Sequence, residues 1–172
     1  MAIRHIDLRE CYIQPTPNRS IDHILMRKDG VIDKRMTNAP HTEIARIYYR
    51  HGANGLRNKF RKTRYRKMFK HFGRRKAVGR RMIGFFESMR HGYRRSKKYK
   101  QQYIVVLEEP FANTRYERNI PVLVPEVWSG HHRIGALIAL KRYHVDVVIA
   151  KDLIPGSKSC YGKIHDLCVS GN

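Results

Sequence analysis

Between Thr42 and Gly55 the apolar residues Ile44, Ile47 and Tyr48 recur at intervals of three and four or less, the signature of one helix face. Thr42 is of the type that opens helices, and Gly52 or Gly55 closes this one. A second helical pattern covers 56–73. Leu56, Phe60, Met68, Phe69 and Phe72 leave an apolar stripe there, and Gly73 breaks or caps it. A third runs from Val78 to Tyr99, with Val78, Met82, Phe85, Phe86, Met89 and Tyr93 at helical offsets. Gly84 and Gly92 weaken it locally by about 1 kcal/mol each relative to alanine. The aromatic residues of these stripes are expected to pack helix on helix in preference to stacking on bases.

The flanking regions carry weaker patterns. Residues 1–41 show little periodicity and hold the breakers Pro15, Pro17, Gly30 and Pro40, which predicts an irregular extension, either lying on a partner or forming a plain surface loop. Within it, "IDHILMRKDGVIDKRM" suits either a short hairpin around Asp29 and Gly30 or one turn of helix. "QYIVVLEEP" continues the third helix or starts a strand, and Pro110 closes it. "FANTRYERNIPVLVPEVW" contains Pro121 and Pro125 and is predicted to be largely extended. Ser129 is placed to cap a helix through "GHHRIGALIALKRYH", with Ile134, Leu137, Ile138 and Leu140 on one side. "VDVVIAKDLIP" is short and β-branched, so helix and strand are not separable there.

These patterns together predict a mainly α protein. Its expected parts are an irregular N-terminal extension (1–41), long basic helices (42–102), and a small C-terminal body (103–172). That body is helical, with mixed α+β as the alternative, and carries a proline-rich insertion and a Gly- and Ser-rich tail.

Charge changes the picture from fold to partner. The chain has a net charge of +22, and residues 57–100 hold 19 of its 36 basic residues against one acid, Glu87. Such a density opposes compaction unless a polyanion offsets it. Arginine and lysine neutralise phosphates and release condensed counterions, which supplies affinity independent of sequence. Arginine adds a planar fork that binds phosphate bidentately. The candidate RNA-binding residues are therefore Arg57, Lys59, Arg61, Lys62, Arg64, Arg66, Lys67, Lys70, Arg74, Arg75, Lys76, Arg80, Arg81, Arg90, Arg94, Arg95, Lys97, Lys98 and Lys100. Basic residues that surround a helix suit burial in RNA better than a membrane surface, which favours a single basic face.

Other chemistry is sparse. His131 and His132 diverge by about 100° on a helix and so do not share one metal ion readily. Cys160, His165 and Cys168 form a loose cluster without a standard zinc spacing. "PGSKS" lacks the frame of a phosphate loop and reads as a turn. No Ser/His/Asp set or carboxylate pair can be placed, so neither an enzyme nor a cofactor or metal is expected. The three cysteines, Cys11, Cys160 and Cys168, show no disulfide framework, and a reducing compartment fits them best.

Three stretches resemble a known family. "RYRKMFKHFGRRK" (64–76) is similar to the early basic run of the bacterial-type large-subunit ribosomal protein L-twenty family. "MIGFFESMRHGYRRSKKYKQQYIV" (82–105) looks like its long helix, and "IGALIALKRYHVDVVIAKDLI" (134–154) resembles its final segment. Leu137, Ile138, Leu140, Lys141, Val145, Asp146 and Asp152 carry the last match. The chain departs from the family at 103–128, where three prolines interrupt the expected helix, and 1–55 has no counterpart. The resemblance implies a divergent organellar member: a ribosomal RNA-binding constituent of the mitochondrial large subunit, in the matrix, with rRNA and neighbouring ribosomal proteins as partners. The alternatives are a non-ribosomal RNA-binding assembly or processing factor, or a basic subunit of a membrane-associated complex.

Overall fold

The computed structural model describes residues 2–13, 21–73, 77–92, 104–107, 114–117 and 120–150. Its strands are β1 (Ala2–Asp7), β2 (Tyr12–Ile13), β3 (Val105–Leu107), β4 (Thr114–Glu117), β5 (Ile120–Leu123), β6 (Glu126–Ser129) and β7 (His144–Ala150). Its helices are α1 (Asp22–Leu25), α2 (Pro40–Lys59), α3 (Arg64–His71), α4 (Arg80–Arg90) and α5 (His131–Ala139).

The protein is mixed α/β, which corrects the expectation of a mainly α chain. Five strands form one mixed sheet in the order β1-β7-β3-β6-β2. β1 runs antiparallel to β7 from Ala2↔Ile149 to Asp7↔His144, and β7 takes β3 in parallel on its other side. β3 pairs antiparallel with β6, and β6 pairs parallel with β2. β4 and β5 form a separate antiparallel pair. The β-branched runs of β3 and β7 decide the two stretches that periodicity left open: Val105, Val106, Val147, Val148 and Ile149 are all buried.

The N-terminal region is also corrected. Instead of an irregular extension, it supplies the edge strand β1, the short β2 and much of the core. Leu8, Cys11, Ile13, Ile21, Ile24, Leu25 and Met36 are buried. Both readings of the 21–36 stretch hold at once. α1 is one helical turn, and Met26 bridges Ile32 around Gly30, whose φ is +80°.

The basic helices are shorter than expected. α2 begins at Pro40, where proline's missing N–H costs nothing, and kinks at Gly52 (φ +66°). The 56–73 pattern is broken at Thr63, whose hydroxyl accepts from the Arg66 N–H and starts α3 anew. The third helix spans Arg80–Arg90 in place of 78–99, and residues 93–103 lie outside those described. The apolar stripe of α4 does pack. Phe86 is fully buried against Tyr48 and Tyr49, with ring centroids 5.2 and 5.9 Å away. The two tyrosine hydroxyls meet the Glu87 carboxylate (2.6 Å) and the Phe86 carbonyl (2.9 Å). No described helix is long and apolar enough to cross a membrane.

α2 packs along α5, and one glycine sets how closely. A Cβ at Gly135 would stand 2.8 Å from the carbonyl carbon and oxygen of His41. The start of α2 therefore lies directly on the backbone of α5.

Candidate functional site

α5 begins without a side-chain cap. Ser129, the expected cap, is displaced from that role by Gly130, which takes the N-cap position at φ +97°. A Cβ at Gly130 would also press within 3.1 Å of the Ile104 side chain, so glycine meets both demands. The first N–H groups of a helix have no intrahelical acceptors. Together with the helix dipole they make an uncapped N-terminus attractive to anions.

That N-terminus opens on a cavity of about 470 Å³. His131, His132 and Arg133 line it from the first turn of α5, Arg81 and Met82 from the first turn of α4, and His41 from the first turn of α2. Tyr65 of α3, Phe85 of α4, and Trp128 and Ser129 of β6 complete the wall with Gly130. Residues from the first turns of four helices, α2, α3, α4 and α5, thus line one space. Among the described residues its lining has two arginines and three histidines, and no acid.

The imidazoles form a tight group. The His41 ring centroid lies 4.8 Å from that of His132 and 5.2 Å from that of His131. Tyr65 packs edge-on against His41, and its hydroxyl is 2.6 Å from His132 Nε2. His41 is only 7% exposed, and its Nδ1 has no hydrogen-bond partner. Burial, reinforced by the neighbouring imidazoles, holds the His41 pKa well below its ordinary value. Burial, then His132, lowers His131 to about 4. Burial raises the Tyr65 hydroxyl well above its ordinary value, so it stays protonated as a donor. Among the described residues, no three His, Cys, Asp or Glu side chains are arranged to hold a metal ion.

The expected cationic residues divide into three groups. Arg57, Lys59, Arg61, Lys62, Lys67, Lys70, Arg80, Arg81 and Arg90 are exposed. Of these only Arg81 reaches the cavity, while Lys59 lies 2.9 Å from His51 and Arg90 sits over the Tyr49 ring. Two others are half-buried. Arg64 engages Glu43 and Asn38, and Arg66 has a buried Nη1 without a partner. Arg74, Arg75, Lys76, Arg94, Arg95, Lys97, Lys98 and Lys100 lie outside the described residues, as do Cys160, His165 and Cys168.

The cavity itself was not legible in the charge run. The sequence pattern presents His131 and His132 only as candidate metal ligands and Tyr65 as a packing or base-stacking aromatic, and it does not mark His41, Trp128 or Arg133. The available signal was "SGHHR", a glycine and basic residues at a helix start with no acid in the first turn. Comparison with protein-family models, curated proteins and solved structures gives no match to this chain.

Proposed function

We propose that the protein binds nucleic acid and seats a phosphate group, of that nucleic acid or of a nucleotide, in the cavity at the start of α5. The observation that carries this reading is the convergence of first-turn residues of α2, α3, α4 and α5, Arg81 and Arg133 among them, on a space with no acid among its described lining residues. Phosphate offers the negative charge that the described lining lacks. Trp128 and Phe85 add apolar surface of the kind a base requires. The exposed arginines and lysines of α2, α3 and α4 extend the positive field beyond the cavity, which favours encounter with a polyanion.

RNA as the nucleic acid is supported by the net +18 of residues 57–100 and by arginine's share of it. The narrower reading, a structural constituent of the mitochondrial large ribosomal subunit, draws on that charge and on the three similar stretches. The long basic helix and helical C-terminal domain that the resemblance implies are not the architecture adopted here. An RNA assembly or processing factor accommodates the same charge together with a ligand cavity.

Binding of a labelled single-stranded RNA across a salt series tests the reading. If about six to ten phosphates are neutralised, log affinity falls against log salt with a slope of roughly −5 to −9. Arg81→Gln lowers affinity at every salt concentration. A flat salt dependence would remove nucleic-acid binding from the account.

A further inference from the structure

We infer that Arg46 and Arg50 of α2, with Arg61 and Lys62 of the turn Phe60–Lys62, form one cationic strip that takes the phosphate backbone of the bound RNA. The inference rests on the reading of the chain as a nucleic-acid binder and gives that reading a surface outside the cavity. Arg46 and Arg50 precede the basic run of 57–100 and are not part of it.

Two contacts place the four residues together. α2 kinks at Gly52, and a Cβ at Gly55 would stand 2.3 Å from the His51 Cβ, so the chain turns tightly there. Beyond the kink, Lys59 Nζ lies 2.9 Å from His51 Nε2, and the Arg64 N–H donates to the Glu43 carboxylate at 2.8 Å. Residue 59 is thus level with residue 51, and residue 64 with residue 43, so the segment between them runs back along the first half of α2. The helix rises about 12 Å from Glu43 to His51. Arg46 and Arg50 lie inside that length on α2, and Arg61 and Lys62 lie inside it on the returning segment. Arg46 and Arg50 also follow Glu43 at i+3 and i+7, on the helix face from which its carboxylate reaches Arg64.

The charge of the strip is not offset within the fold. All four residues are exposed, and among the described residues none of the four side chains makes a hydrogen bond, ion pair or ring contact. The nearby acid, Glu43, is taken by the N–H and guanidinium of Arg64. The N-terminal cations are arranged in the opposite way: Arg9 holds Asp7, Arg27 holds Asp29, Lys34 holds Asp22 and Arg35 holds Asp33. Arg46 and Arg50 are like charges at i and i+4, which destabilises a helix, and Arg61 and Lys62 bring two more to the same strip. A row of phosphates removes that repulsion, and its condensed counterions are released in exchange. Contacts to phosphates carry no sequence information, so the strip supplies affinity and position without a base preference.

The test uses the full chain and a labelled single-stranded RNA across a salt series. Arg46→Gln with Arg50→Gln should weaken binding to every RNA sequence alike and make the slope of log affinity against log salt shallower by about 1.4, the release expected for two phosphates of a single strand. Arg46→Lys with Arg50→Lys should keep the wild-type slope, because the charge is kept. Arg27→Gln with Lys28→Gln removes the same charge from the exposed turn at Gly30 and should leave the slope unchanged. A steep wild-type slope that stays the same in the Arg46→Gln, Arg50→Gln variant would overturn the strip while leaving nucleic-acid binding intact. An equal change in the Arg27→Gln, Lys28→Gln variant would overturn it too, as a general effect of net charge. If the Arg46→Gln, Arg50→Gln variant lost binding to phosphatidylserine vesicles and kept RNA binding unchanged, the strip would be a lipid surface and the inference would fall. No RNA binding by the wild type would overturn both the strip and the reading on which it rests.

Discussion

The Tyr65 hydroxyl lies 2.6 Å from Nε2 of His132, tying α3 to the first turn of α5 across 67 residues of chain. It fixes the imidazole at the cavity wall and joins the basic helical layer to the helix that follows the sheet's β6. Tyr65→Phe keeps the ring packing against Phe60 and Phe69 and removes only the hydroxyl. The change should cost about 1–3 kcal/mol, since His132 Nε2 then loses that partner in a partly buried site. Urea denaturation checks this, and an unchanged midpoint would show that the bond contributes nothing.

Phe86 tests the packing of the helical layer. Phe86→Ala leaves a cavity between Tyr48 and Tyr49 and should cost about 3–5 kcal/mol, whereas Phe86→Leu should recover a large part of that. Thermal melts of the two variants decide it. A loss confined to RNA binding, with melting unaltered, would contradict the core assignment.

That packing was legible from sequence because α4 carries a helical stripe whose Phe86 and Met89 are both buried. The sheet was not legible, for reasons visible in its strands. β2 has two residues and β3 has three, too short for alternation to register. β1 lies at the sheet edge with Ile3 exposed to 64%, so its apolar residues do not mark a buried face. Its partner β7 lies at the other end of the described chain, and such pairing leaves no local signal. The candidate site was hidden likewise. Its residues come from α2, α3, α4, β6 and α5, and the sequence marks Met82 and Phe85 as helix packing, Ser129 as a cap and Arg81 as one cation of a long run, with nothing that joins them to His131 and His132 in one place.

The enclosed imidazoles of His41, which is buried, and His131, which is half-buried, make stability depend on pH. His131 is lowered to about 4 and His41 is lowered well below its ordinary value, so the unfolded chain binds more protons than the folded one as pH drops below about 6.5. Their contribution is fully present above pH 6.5 and is lost as pH falls from there towards 4. The melting temperature should therefore decrease between pH 7 and 5, by the equivalent of roughly 1–2 kcal/mol for His131 alone. His131→Gln should flatten this part of the profile. The Asp7 carboxyl, held at about 2 chiefly by its hydrogen bonds to the Arg9 side chain, acts only below about pH 4 and does not blur the measurement.

The central claim is that the cavity at the start of α5 takes a phosphate-bearing ligand, and the molecule carries its own reporter. Trp128 is the only tryptophan in the chain and lines that cavity. Titrating pyrophosphate into the wild-type protein at low salt, with Trp128 emission as the readout, should give a saturable change, and Arg81→Gln combined with Arg133→Gln should weaken it by at least about tenfold. An emission that does not change, or that changes equally in the double variant, would contradict the assignment of the cavity as a phosphate site.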